Sequence, residues 1–139
     1  MKKFFGLLLV AAFCLLAIML TSCGNNNTDE VQTQMNNTYE QISGEQAKAL
    51  MDSEKGYVII DARTQEEFDG GHIPGAVLIP EYEIADRAEK ELPDKNQLIL
   101  VYCRSGRRSK IASQALVDLG YTNVKEFGGI IDWEYETVK

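Results

Sequence analysis

The sequence predicts an α/β domain over residues 39–139, with a parallel sheet flanked by helices on both faces. Three observations predict it. Short runs of consecutive apolar residues recur, the pattern of strands buried on both sides. Stretches with helical spacing of apolar residues separate them. Capping residues, glycines and prolines fall at the joins, where helices start and stop. Strands joined by helical crossovers run parallel to their neighbours.

Taken in order, Ser43-Gly44-Glu45-Gln46 has the form of a capping box, with Ser43 as cap and Gln46 reaching back. A helix through Ala47, Leu50 and Met51 follows, and Gly56 closes it. Tyr57-Val58-Ile59-Ile60 is the first strand. Thr64-Gln65-Glu66-Glu67 is a second capping box, opening a brief helix that Gly70-Gly71 ends. Ala76-Val77-Leu78-Ile79 is a strand stopped by Pro80, and Ile84 to Leu92 is a helix stopped by Pro93. Leu98 to Tyr102 is the strongest strand. Ser109 to Leu119 is a helix capped by Ser109, with Ile111, Ala112, Ala115, Leu116 and Leu119 on one face and Gly120 at its end. Val124 to Phe127 is a last strand, and Ile130 to Val138 reads as a terminal helix.

The residues before this domain are organised as an address. Met1-Lys2-Lys3 is a positive start, Phe4 to Leu20 is almost wholly apolar, and Thr21-Ser22-Cys23 supplies small residues where cleavage belongs. The tetrad Leu20-Thr21-Ser22-Cys23 resembles a bacterial lipobox. That resemblance implies that residues 1–22 are a lipoprotein signal peptide and that Cys23 receives a diacylglyceryl group. An uncleaved anchor is the alternative, since the apolar run approaches the length of a bilayer span. Residues 23–38 then form the lipidated cysteine and a polar, flexible tether. The expected location is the extracytoplasmic side of a membrane, reached through the lipid.

The formal net charge is −7, and Lys2 and Lys3 leave with the signal, so the body is more acidic still. An acidic body argues against a nucleic-acid partner and against polybasic attachment to anionic lipid. A single short domain points to a monomer. Of the three cysteines, Cys14 leaves with the signal and Cys23 is consumed by lipid. Cys103 is left without an intramolecular partner, which excludes a structural disulfide.

Cys103 lies where the strongest strand ends and before a helix begins, the end of the sheet where open α/β folds bind ligands. The segment Cys103-Arg104-Ser105-Gly106-Arg107-Arg108 carries three arginines in an otherwise acidic chain. Gly106 lets the loop curl so that its N–H groups point inward as an anion cradle. A helix start adds unpaired N–H groups and the positive end of the dipole. All of these favour a thiolate at Cys103.

Four segments resemble the signatures of a single-domain rhodanese. They are Asp61-Ala62-Arg63-Thr64-Gln65-Glu66-Glu67-Phe68, Gly71-His72-Ile73-Pro74-Gly75-Ala76, Tyr102-Cys103-Arg104-Ser105-Gly106-Arg107-Arg108-Ser109, and Gly128-Gly129 ahead of Trp133. The resemblance spans about residues 40 to 135 in the family's order. It implies a rhodanese-like five-stranded parallel sheet and sulfurtransferase chemistry, in which a cysteine takes a sulfane sulfur and passes it to a nucleophile. Cys103 is then the catalytic residue and carries a persulfide. Arg104, Ser105, Gly106, Arg107 and Arg108 bind a small sulfur-containing anion such as thiosulfate. Arg108 either faces substrate or turns inward onto a carboxylate, with Asp61 as the candidate. No cofactor is called for, and a protein sulfur acceptor is possible.

Asp61 and Arg63 are expected to anchor the turn after their strand, and His72 to brace its loop. A lone histidine offers too few ligands for a metal site, so none is expected. Trp133, Tyr135 and Phe127 read as core or cover for the C-terminal segment. Two rival functions use the same cysteine. A cysteine phosphatase or arsenate reductase also cradles an anion at a helix start, but phosphatase loops place one more residue between cysteine and arginine than Cys103 and Arg108 have here. A persulfide carrier or redox partner in the cell envelope would use Cys103 without turnover.

Overall fold

The computed structural model describes residues 38–139. The expected signal, Cys23 and the tether up to residue 37 lie outside the described residues. Five strands form one sheet: β1 (Glu40–Gln41), β2 (Val58–Asp61), β3 (Ala76–Leu78), β4 (Ile99–Cys103) and β5 (Val124–Gly129). Their order is β1-β5-β4-β2-β3, and every pairing within the sheet is parallel. The helices are α1 (Gly44–Ser53), α2 (Gln65–Asp69), α3 (Ile84–Glu91) and α4 (Arg107–Asp118).

The central strand β4 is buried along its whole length. Successive side chains on a strand point to opposite faces, and β4 divides accordingly. Ile99, Val101 and Cys103 pack with Ile84 and Ala88 of α3 and with Ala112 and Leu116 of α4. Leu100 and Tyr102 pack on the other face with Ala47 of α1, Phe127 and Trp133. Both faces are covered, which is why β2 and β4 read as continuous apolar runs rather than alternating ones. Both capping boxes form, Ser43 with Gln46 and Thr64 with Glu67.

Three elements differ from the reading of the residues. The pair Glu40–Gln41 is a strand although both residues are exposed; it lies at the sheet edge and is recruited by β5, so no apolar pattern marks it. Helix α4 begins at Arg107, with Gly106 rather than Ser109 at the cap position. Arg107 and Arg108 therefore belong to the first helical turn and not to the loop. The terminal segment is not a helix. A 3₁₀ turn at Ile130–Asp132 gives way to extended chain, and Val138 pairs antiparallel with His72. The aromatic residues explain it. Trp133 and Tyr135 alternate with Glu134 and Glu136, a period of two. Trp133 packs between Phe127, 5.6 Å away, and Tyr135, 4.9 Å away, a contact chain that a helix would break.

Candidate active site

Only Arg104, Ser105 and Gly106 separate β4 from α4. So short a link needs a residue with positive φ, and Gly106 supplies it at 96°. The turn aims backbone amides at the end of β4, and Gly106 N–H donates to Cys103 Sγ at 3.1 Å. The first turn of α4 adds N–H groups without intrahelical partners and the positive end of the dipole. Cys103 is 1% exposed. Burial raises its thiol. Hydrogen bonding from the backbone amides of Ser109, Gly106 and Ser105 works the other way, and the thiol is held below its ordinary value. The sulfur lies at the floor of the amide cup and faces into it.

Strand β5 runs directly behind the loop. Gly129 sits opposite Cys103 in the ladder, and a Cβ on Gly129 would fall 2.6 Å from Ser105 Cα. Only glycine lets the strand pass so close. Beneath the loop, Ser109 Oγ donates to Glu126 Oε1 at 2.6 Å, and Gly128 N–H donates to the same oxygen at 2.8 Å.

The three arginines do different things. Arg104 and Arg107 are exposed, and neither forms an ion pair among the described residues. Arg108 turns inward, but its carboxylate is Glu67 of α2 and not Asp61. Arg108 Nη1 and Nη2 donate to Glu67 Oε2 and Oε1 at 2.6 and 2.7 Å. Asp61 is unavailable because it is already saturated. It is fully buried on the far side of β2 and accepts from Arg63 N, Nε and Nη2 and from Tyr102 Oη. Burial works against the charge on Arg63, and Asp61 more than restores it. Tyr102 Oη also accepts from Ile73 N–H at 3.1 Å, and Arg63 Nη2 donates to Gly71 O at 2.8 Å. Asp61 and Arg63 thus tie the ends of β2 and β4 to the loop at residues 71–73.

His72 belongs to that loop. Its ring stacks on Phe68 at 3.7 Å, its Nδ1 lies 3.0 Å from Phe68 O, and its backbone pairs with Val138. It is not brought to Cys103. Beside the loop is an open cleft of about 530 Å³, lined by Arg63, Glu67, Arg104, Ile130, Ile131 and Trp133 among others. Among the described residues no cluster of three or more His, Cys, Asp or Glu is placed to hold a metal ion.

Reading of the residues did not single out Glu67 as the partner of Arg108, or Glu126. Glu67 is masked by its place in a capping box, which accounts for a glutamate there without any second task. Glu126 does carry a signal. It is two residues from the core position Val124, so a charged side chain sits on the inward face of a strand.

The sequence profile of the Rhodanese-like domain matches residues 43–136. The chain is 40% identical over 80 residues to the thiosulfate sulfurtransferase PspE of Escherichia coli K12, covering 58% of this chain and 77% of that protein. It is 34% identical over 91 residues to the thiosulfate sulfurtransferase GlpE of Pseudomonas savastanoi pv. phaseolicola, covering 66% and 82%. Among solved structures it is similar to a rhodanese with anions from E. coli, at 38% identity and a TM-score of 0.57, covering 60% of this chain and 99% of that one.

Proposed function

Given that the chain belongs to the rhodanese-like domain family, we propose that it is a sulfurtransferase that moves a sulfane sulfur from an anion such as thiosulfate, through a Cys103 persulfide, to a thiophilic acceptor. The observation that carries this reading is the placement of Cys103 Sγ in the amide cup at the start of α4, with Gly106 N–H at 3.1 Å.

In the first half-reaction the Cys103 thiolate attacks the sulfane sulfur. The S–S bond of thiosulfate breaks, its electron pair leaves with sulfite, and a new S–S bond forms on Cys103. The persulfide anion that remains takes the thiolate's place before the loop amides. In the second half-reaction a nucleophile attacks the outer sulfur and Cys103 leaves as thiolate. No general base is required in either step, because the attacking group starts ionised. Arg104 and Arg107 supply unpaired positive charge at the rim that attracts the anionic donor. Arg108, engaged with Glu67, holds α4 against α2. Only four residues separate Cys103 from Arg108, one fewer than in a phosphatase loop, and Arg108 is committed to Glu67; both favour sulfur transfer over phosphatase chemistry.

Intact mass of the full chain after thiosulfate treatment tests this. One added sulfur, absent in Cys103→Ser, is the expected result. No gain, or an equal gain in the serine variant, overturns it. Repeated turnover with thiosulfate and a thiol acceptor identifies an enzyme; a single stoichiometric loading without turnover identifies a sulfur carrier. We also propose lipid attachment at Cys23, supported by the Leu20–Cys23 tetrad. A diacylglyceryl mass on an N-terminal peptide beginning at Cys23 is the expected result, and an unmodified peptide running through Cys23 overturns it.

A further inference from the structure

Glu126 is a carboxylate that sulfur transfer does not use. It is 2% exposed, and among the described residues it has no ion-pair partner. Its Oε1 lies 2.6 Å from Ser109 Oγ, and Ser109 is wholly buried beside Cys103 in the first turn of α4. A hydroxyl has one proton, and here three oxygen acceptors surround it, Glu126 Oε1, Gly106 O at 3.0 Å and Gly128 O at 3.4 Å, with the Cys103 sulfur competing for the same proton. A charged carboxylate at 2.6 Å is the short, strong class of acceptor; a neutral carbonyl and a large, soft sulfur are weaker. The proton goes to Glu126 and is not shared with Cys103.

We propose that Glu126 is a positioning residue that restrains thiolate stabilisation at Cys103, by holding the Ser109 proton away from the sulfur and by placing a negative charge under the loop. This rests on Cys103 being the reacting sulfur. It gives the carboxylate a purpose. The amide cup, the helix dipole and three guanidinium groups all favour the thiolate, and a thiolate made too stable is a poor nucleophile. Attack rates fall by roughly half a decade for each unit of lost basicity.

The other charges that face the sulfur are Arg104 and Arg107 at the rim and Arg108 in the first turn of α4. Glu67 of α2 and Glu81, in the turn before α3, face Arg108. Asp61 and Arg63 form a closed pair on the other side, and Lys125 is paired with Glu40. None of these touches the Ser109 hydroxyl, whose partners are Gly106 O, Glu126 and Gly128 O.

The test is the pH profile of iodoacetamide labelling of the full chain, read on the tryptic peptide 96–104 that carries Cys103. Glu126→Gln is expected to lower the midpoint by roughly one unit. Its plateau rate at high pH is expected to fall about threefold, because the thiolate becomes less basic. Ser109→Ala is expected to leave the midpoint in place or lower it. An unchanged or raised midpoint in folded Glu126→Gln overturns the proposal. So does a rise in Ser109→Ala, which would mean that the hydroxyl serves the sulfur; this second variant decides the matter if Glu126→Gln does not fold. Iodoacetamide needs no sulfur donor, so this result stands apart from the thiosulfate loading that tests the function.

Discussion

Arg108 and Glu67 meet fork to fork, two parallel hydrogen bonds of 2.6 and 2.7 Å that join the first turn of α4 to α2. The same carboxylate accepts from Thr64 N–H and Thr64 Oγ1, so it closes the cap of α2 as well. The Arg108 hydrogen bonds, working against desolvation, hold the Glu67 carboxyl down at about 2 instead of the ordinary 4.5. A depressed carboxylate stabilises the folded state fully above its unfolded value, and the contribution is lost as pH falls through the folded one. Stability is therefore expected to fall by about 1–2 kcal/mol between neutral pH and pH ~2, an amount reduced by solvent around the half-buried pair. Denaturant melts across that range check it. In Glu67→Gln the acid limb flattens, and the variant is less stable than the parent at neutral pH.

Arg104 and Arg107 are the guanidinium groups left free for a ligand. Arg104→Ala and Arg107→Ala are each expected to raise KM for thiosulfate roughly fivefold, as about 1 kcal/mol of exposed charge interaction implies. Exposed charges of this kind contribute little to the fold, so stability should stay within about 0.5 kcal/mol of the parent. Steady-state kinetics beside a thermal melt separates the two effects. An unchanged KM in both variants would remove these residues from the donor site.

Tyr102 follows a different logic, because it faces away from the sulfur chemistry. Its hydroxyl donates to Asp61 at 2.6 Å and accepts from Ile73 N–H. Burial, reinforced by the Asp61 carboxylate, holds the phenol above its ordinary value, so it remains a donor throughout the working range. Tyr102→Phe strands a buried N–H and removes one of the bonds to a buried carboxylate. The expected cost is about 1–3 kcal/mol. Each kcal/mol corresponds to about 4–8 °C of Tm for a domain of this size.

Gly129→Ala tests the contact behind the loop. The added methyl would collide with the backbone at Arg104 and Ser105, which cannot rotate away as a side chain could. A loss of roughly 1–3 kcal/mol is expected from overpacking. Sulfur loading should fall further than stability, because the loop that yields is the one whose amides face Cys103. Mass after thiosulfate treatment, compared with the melt, reads both.

Much of this was legible in the residues, for physical reasons. Strands buried on two faces announce themselves as apolar runs, and β2 and β4 did so. The two capping boxes form because their side chains complete bonds within four residues, a local rule that needs no tertiary knowledge. The placement of Cys103 at a tight turn between β4 and α4 was legible because arginines and a glycine cluster beside a lone thiol. What escaped depended on distant partners. β1 exists only because β5 offers an edge to Glu40 and Gln41. The extended tail after Asp132 is set by Trp133 packing on Phe127 and by Val138 reaching His72. The choice of Glu67 over Asp61 by Arg108 required knowing that Arg63 and Tyr102 had already filled Asp61.

The depth of Cys103 has a consequence for what can meet it. A sulfur 1% exposed at the bottom of a narrow cup cannot be approached by the bulk of another protein. A slender anion can send a single terminal atom down to it. If Cys103 takes up a second sulfur, that atom would stand about 2 Å farther out, along the new bond. On the proposed chemistry a large neighbour would meet the transferred sulfur before the cysteine, and the sulfur-free thiol would be screened from mixed disulfides with other proteins.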